Sequence, residues 1–224
     1  MKLFRICLAM LVAAVTLCPL PAVAADIAAT WPQWRGPSRD GQAPMSPVWP
    51  DRLDEATLVK HWRVELGPSY SGPIVAADLV FVTETRDKKT EVVQALSRTD
   101  GKVLWSAEWP GATSVPFFAA SNGDWIRVTP AFDGESLFAA GMRDVLVCLD
   151  AASGQERWRV DFVERFKSAL PTFGFVSSPL VDGEHVYVQA GGSFVKLNKR
   201  NGETVLMKQP ARSCGHRRSR RFAA

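Results

Sequence analysis

Apolar residues in this chain come in short runs closed by turn residues, the pattern of a β-protein. Residues 72–82 (GPIVAADLVFV), 129–139 (TPAFDGESLFA) and 178–188 (SPLVDGEHVYV) share one layout: a proline opens an apolar run, a turn follows, and a second apolar run leaves it. The runs are rich in Val, Phe, Leu and Tyr, which suits strands. Asp133-Gly134 and Asp182-Gly183 stand at the turns, where glycine supplies the positive φ of a tight hairpin. The next run, with Val145, Leu146, Val147 and Leu149 between Asp144 and Asp150, is short and nearly continuous and predicts a largely buried strand.

Downstream of each pair comes a second shared phrase. Residues 95–105 read ALSRTDGKVLW, residues 148–158 CLDAASGQERW and residues 196–206 KLNKRNGETVL. In each, glycine falls six residues after the opening position and a large apolar residue four later: Gly101 and Trp105, Gly154 and Trp158, Gly202 and Leu206. The two tryptophans are 53 residues apart, and Leu206 follows 48 residues after Trp158. A period near 50 marks repeated supersecondary units rather than one globular core. The Asp100-Gly101 and Ser153-Gly154 turns lead into strands that hold the tryptophans, so each unit carries four short strands, the content of one propeller blade. The expected fold class is all-β: an incomplete β-propeller of four-stranded blades, about three of them in this chain.

These phrases resemble the repeat of the pyrroloquinoline-quinone-like (PQQ-like) β-propeller family, roughly Ala-x-Asp-x-x-Thr-Gly-x-x-x-Trp. The second copy lies nearest, with Asp150, Ser153, Gly154 and Trp158 in register; the first has Ser97 for the aspartate, and the third has Asn198 there and Leu206 for the tryptophan. Residues 31–41 (WPQWRGPSRDG) are similar to the entry segment of exported bacterial members. The resemblance spans about residues 31–207. It implies that Gly101, Trp105, Gly154, Trp158 and Gly202 lock neighbouring blades, the tryptophans being structural and no part of a cofactor box. A flat ring covers much apolar area, and glycine lets it reach the backbone. Within the family the repeat is similar both to that of the outer-membrane barrel-assembly lipoprotein, which docks partners, and to that of quinoprotein dehydrogenases. The dehydrogenases carry a catalytic Asp, Glu and Asn calcium ligands, and often a Cys-Cys pair.

The ends carry other signals. Lys2 and Arg5, the apolar residues 6–17 and the small residues 22–24 make residues 1–24 a secretory signal peptide, its apolar stretch too short to span a bilayer. Leu17 precedes Cys18 where a lipid-attachment signal carries a small residue. Residues 25–59 form the entry segment, 60–207 the repeats and 208–224 an atypical basic tail, and the expected location is exported, periplasmic or extracellular. The tail has neither strand alternation nor the repeat phrase. It reads as out-of-frame sequence or as a genuine basic tail on a short open propeller, and the abrupt loss of pattern favours the first. Closed propellers need roughly four to eight blades, so open blade edges are expected to invite self-association.

The basic pI of about 9.0 comes from these ends. Residues 1–24 and 211–224 hold two and five of the 27 Lys and Arg and no acidic residue, which leaves 20 basic against 23 acidic residues between them. Nucleic acid is therefore not an expected partner. Of four cysteines, Cys7 and Cys18 leave with the signal, Cys214 lies in the tail, and Cys148 reads as a small buried apolar residue. No disulfide framework or zinc spacing appears. His61, His185 and His216 make no ligand spacing, Gly191-Gly192 reads as a turn, and residues 87–90 as a solvated hairpin tip.

Without a Cys-Cys pair or an acidic cluster at matching positions, no catalytic, cofactor or metal residue is assigned. The expected function is a non-enzymatic exported scaffold for a protein or carbohydrate partner. The alternative is a fragment of a quinoprotein dehydrogenase, which would use PQQ with calcium. The candidate binding loop lies between Trp105 and Thr129, with Phe117, Phe118 and Trp125 beside Asn122, Asp124 and Arg127; long loops with aromatic and polar groups make common contact surfaces, though these rings could instead cap a blade edge. A second candidate is residues 171–177, where Phe173, Gly174 and Phe175 could line a central funnel or pack between blades.

Overall fold

The computed structural model describes residues 30–43, 50–111 and 113–208, with Asn122 through its backbone alone. The expected signal peptide and the tail beyond Lys208 lie outside the described residues. The first sheet runs β1 (Ile74–Val75), β2 (Leu79–Arg86), β3 (Thr90–Ser97) and β4 (Val103–Pro110). The second runs β5 (Ala131–Phe132), β6 (Ser136–Gly141), β7 (Val145–Asp150) and β8 (Glu156–Asp161). The third runs β9 (Leu180–Asp182), β10 (His185–Ala190), β11 (Ser193–Asn198) and β12 (Thr204–Lys208). Every neighbouring pair is antiparallel and consecutive in the chain, so each sheet is one up-and-down blade, and the three make an open, incomplete β-propeller.

The register repeats with the sequence. Phe81 faces Ala95, which faces Trp105; Phe138, Cys148 and Trp158 align in the same way, and so do Tyr187, Lys196 and Leu206. A bulge follows each middle residue, and the turn beyond it is closed by a glycine N–H on the carbonyl four residues back: Gly101 on Ser97, Gly154 on Asp150, Gly202 on Asn198. These glycines take left-handed φ values of 73°, 74° and 69°, a region that side-chain-bearing residues avoid. The aspartate of the phrase braces the turn. Asp150 accepts from the Ala152 and Ser153 amides, the Ser153 hydroxyl and Arg157, and the Arg157 bond above all pushes it down to about 2.

The two hydrophobic cores are the two blade–blade interfaces. Ile74, Phe81, Val93 and Ala95 of the first blade pack on Leu137, Val147 and Leu149 of the second. Phe138, Leu146, Cys148 and Val160 of the second pack on Val186, Val188, Val195 and Leu197 of the third. Successive strand residues point to opposite faces, and the middle blade is covered on both, which is why residues 145–149 read as a continuous apolar run. In β10 and β11 burial alternates, and Tyr187, Gln189, Phe194 and Lys196 lie on the face of the third blade turned away from the second.

The far face of the first blade is covered by an extended strip, residues 60–70. Trp62 Nε1 donates to Arg98 O (2.8 Å), the Thr85 amide to Pro68 O (2.9 Å) and the Gly67 amide to the Glu84 carboxylate. A second strip ties the opening strands of all three blades. Trp31 and Val75 exchange both backbone bonds (2.7 and 2.9 Å), the Phe132 amide donates to Pro32 O (2.8 Å), and Arg39 donates to Pro179 O just before β9 (3.2 Å).

Candidate functional site

Each tryptophan of the repeat packs on the glycine of the next blade. The Trp105 ring fills the space where a Gly154 side chain would stand, with ring atoms 2.5 Å from an ideal Cβ; Trp158 does the same at Gly202 and Trp62 at Gly101, each at 2.7 Å. The indole N–H then donates to the carbonyl three residues before that glycine: Trp62 to Arg98 (2.8 Å), Trp105 to Ala151 (3.0 Å), Trp158 to Lys199 (2.9 Å). Ring area and one satisfied carbonyl thus tie each ring to the glycine turn it meets. Trp62 was not in the sequence-derived set. Its signal is the triplet Trp62-Arg63-Val64, which repeats as Trp158-Arg159-Val160. At the open end Leu206 stands in the tryptophan's place, 49% exposed, and Lys196 lies over the Tyr187 ring at 5.6 Å.

A second inter-blade link uses buried carboxylates. Glu91 is fully buried and accepts from the Met142 amide of the second blade (2.6 Å) and from Trp109 Nε1 (2.9 Å). Gly111 and Gly141 flank it, and a side chain at either would run into the carboxylate. Asp144 stands four residues before Cys148, as Glu91 does before Ala95, and accepts from the Gly191 amide of the third blade (2.6 Å). Burial pushes both carboxyls above their ordinary values, against the pull of these hydrogen bonds, and the nearby Asp161 charge adds to the rise at Asp144. The sequence carries this device only as an acidic residue four positions ahead of two of the three phrases.

The candidate loop divides. Phe117 and Phe118, in a 3₁₀ turn (Phe117–Asn122), project outward, 91% and 69% exposed. Trp125 turns in, 5.3 Å from the Tyr70 ring and against Gly123, and Arg127 folds over the same Tyr70 ring at 5.8 Å while donating to Gly123 O (3.0 Å). Asp124 is half-buried, and the Asn122 side chain lies outside the described residues. The second candidate also splits around a pivot. Gly174, at φ 76°, sits against Met142; Phe175 is buried 6.2 Å from Phe162, whereas Phe173 is 46% exposed. The two loops meet there: Phe117 and Phe118 pack edge to face at 5.7 Å, and Phe118 meets Phe173 edge to face at 6.3 Å. Beside Phe173 opens an apolar groove of about 720 Å³ lined by Leu170, Pro171, Val176 and Phe194.

A quinone site would need carboxylate and carbonyl donors converging on one calcium ion. Among the described residues no three His, Cys, Asp or Glu come together as a group that could hold a metal ion. Among them, too, no helix is long and apolar enough to cross a membrane.

The family profile described as outer membrane protein assembly factor BamB matches residues 89–220, more than half of the chain. No curated protein matches significantly. Among solved structures, BamB from Moraxella catarrhalis is 16% identical with a TM-score of 0.43, over 59% of this chain and 34% of that one. Quinohemoprotein alcohol dehydrogenase ADHIIG from Pseudomonas putida HK5 is 16% identical with a TM-score of 0.61, over 81% and 26%. The quinohemoprotein alcohol dehydrogenase of Comamonas testosteroni is 20% identical with a TM-score of 0.54, over 83% and 28%. The chain therefore spans about a quarter to a third of the length of the structures it matches, and the two dehydrogenases share its fold.

Proposed function

The chain belongs to the family of the outer membrane protein assembly factor BamB, and from that premise we propose that it is a non-enzymatic docking scaffold that works outside the cytoplasm. The observation that carries this reading is the exposed cluster of Phe117, Phe118 and Phe173, assembled from two connections 55 residues apart. Exposed aromatic clusters on loops held by a rigid scaffold make protein contacts. The rings meet edge to face and Arg127 is turned inward. A sugar platform would instead present a flat ring rimmed by polar groups, so the proposed partner is a protein with an apolar surface.

A photo-reactive phenylalanine analogue placed at Phe118 in the exporting cell tests the proposal. The expected result is a cross-link to one envelope protein that is lost with Phe173→Ala, each phenylalanine costing about 1–2 kcal/mol of binding. Absence of a protein cross-link at Phe118 would overturn it. The competing reading, a piece of a quinone-dependent dehydrogenase, predicts cofactor absorbance and dye reduction after addition of PQQ and calcium; the scaffold reading expects neither.

A further inference from the structure

We infer that the turn around Trp34 is a second binding site, one that takes the carboxylates of an acidic polypeptide segment. Arg35 and Arg39 both adopt left-handed backbone, at φ 65° and 57°, which residues with side chains seldom do unless their surroundings impose it. The imposition is visible. Gly36, at φ 80°, lies against the Trp31 ring, which itself pairs with β1, and three backbone bonds close the turn: Gly36 to Gln33 (3.0 Å), Arg39 to Gly36 (3.1 Å) and Gly41 to Arg35 (3.0 Å). The result sets both guanidinium carbons close to one indole, 5.5 Å and 5.6 Å from the centre of the Trp34 ring.

Among the described residues their acceptors are neutral. Arg35 donates to Asp40 O (2.8 Å), and Arg39 to Pro179 O (3.2 Å) and the Gln33 amide oxygen (3.4 Å). Neither takes part in an ion pair among the described residues. Among the described residues, two like charges thus border one ring without an ion-pair partner, and that ring is 47% exposed. Guanidinium forks match carboxylates two bonds at a time, and the indole offers apolar cover to the stem of an aspartate or glutamate. A long polyphosphate is the poorer fit, because it has no aliphatic stem to lay against the indole that both guanidinium groups border.

Fluorescence anisotropy of a labelled hexaglutamate peptide tests the site at low salt, with the whole chain. Arg35→Gln is the variant of choice, since Arg35 is exposed and holds one carbonyl, and an unchanged urea midpoint shows that it folds. Its expected effect is about tenfold weaker binding, the cost of one lost charge-assisted contact. Arg35→Lys is expected to recover only part of the affinity, because the charge remains and the fork does not. Equal affinity of wild type and Arg35→Gln overturns the site. Displacement by inorganic phosphate at peptide-like concentration, or tighter binding of a labelled oligothymidylate, overturns the polypeptide assignment.

Discussion

Replacing Gly154 by alanine is expected to break the joint between the first two blades, and its cost can be assembled from the structure. The residue sits at φ +74°, and an alanine Cβ there would lie 2.5 Å and 2.6 Å from Trp105 ring atoms. The backbone term alone is about 1–2 kcal/mol. The ring must also retreat by roughly 1 Å to reach ordinary contact, an overpacking cost of about 1–3 kcal/mol. That retreat strains the 3.0 Å bond from Trp105 Nε1 to Ala151 O, worth about 1 kcal/mol net. The expected total is about 3–6 kcal/mol. Gly183→Ala is the internal reference: its φ is +54° with nothing within 4 Å, so only the backbone term applies. Urea unfolding followed by circular dichroism reads both. In a Trp105→Ala background the clash is gone, and Gly154→Ala should again cost about 1–2 kcal/mol, a coupling of about 2–4 kcal/mol in the double-mutant cycle. If Gly154→Ala costs no more than Gly183→Ala, or if the two mutations add, the lock is not what joins the blades.

Glu91 and Asp144 have carboxyls raised by burial from ordinary values of 4.5 and 3.8, so the folded chain binds their protons more tightly than the unfolded one. Their contribution is full below those ordinary values and is lost as pH rises through the folded ones. Glu91→Gln removes that dependence at one site, and its destabilisation relative to wild type should shrink as the pH of a urea titration rises from 4.5; a constant or growing difference refutes the assignment. Burial pushes the Cys148 thiol up to about 12, and the side chain is fully buried, so iodoacetamide should modify it only on unfolding; rapid native-state labelling would contradict the packing. The third blade shows Phe194, Val205 and Leu206 to solvent, and sedimentation velocity should find association that rises with concentration and weakens in Leu206→Lys. A single monomer boundary at every concentration would count against it.

The blade content and the all-β class could be read from the chain because their causes are local. A glycine six residues into each phrase, an Asp-Gly turn between apolar runs, and period-two alternation act within one hairpin. Even the difference between the middle and the last blade is written locally, as a continuous run at residues 145–149 against the alternation of His185, Tyr187 and Gln189. The candidate loop was identifiable by length and aromatic content. Its division was not: Phe117 and Phe118 face out whereas Trp125 and Arg127 turn onto Tyr70, and the Tyr70 strip is more than 50 residues away in sequence.

The repeat spacing by itself determined which residues form each blade and which glycines must turn left-handed, since turn sterics and strand pleat extend over only a few residues. Tertiary structure alone decided which glycine each tryptophan meets. Trp105 finds Gly154 and Trp158 finds Gly202, 49 and 44 residues on, because that choice depends on how one sheet stacks on the next. It likewise decided that Trp62 begins the series, that Glu91 and Asp144 reach amides of the following blade, and that Phe118 and Phe173 share one surface. Such contacts cross between units whose order the sequence repeats but whose relative placement it does not encode locally.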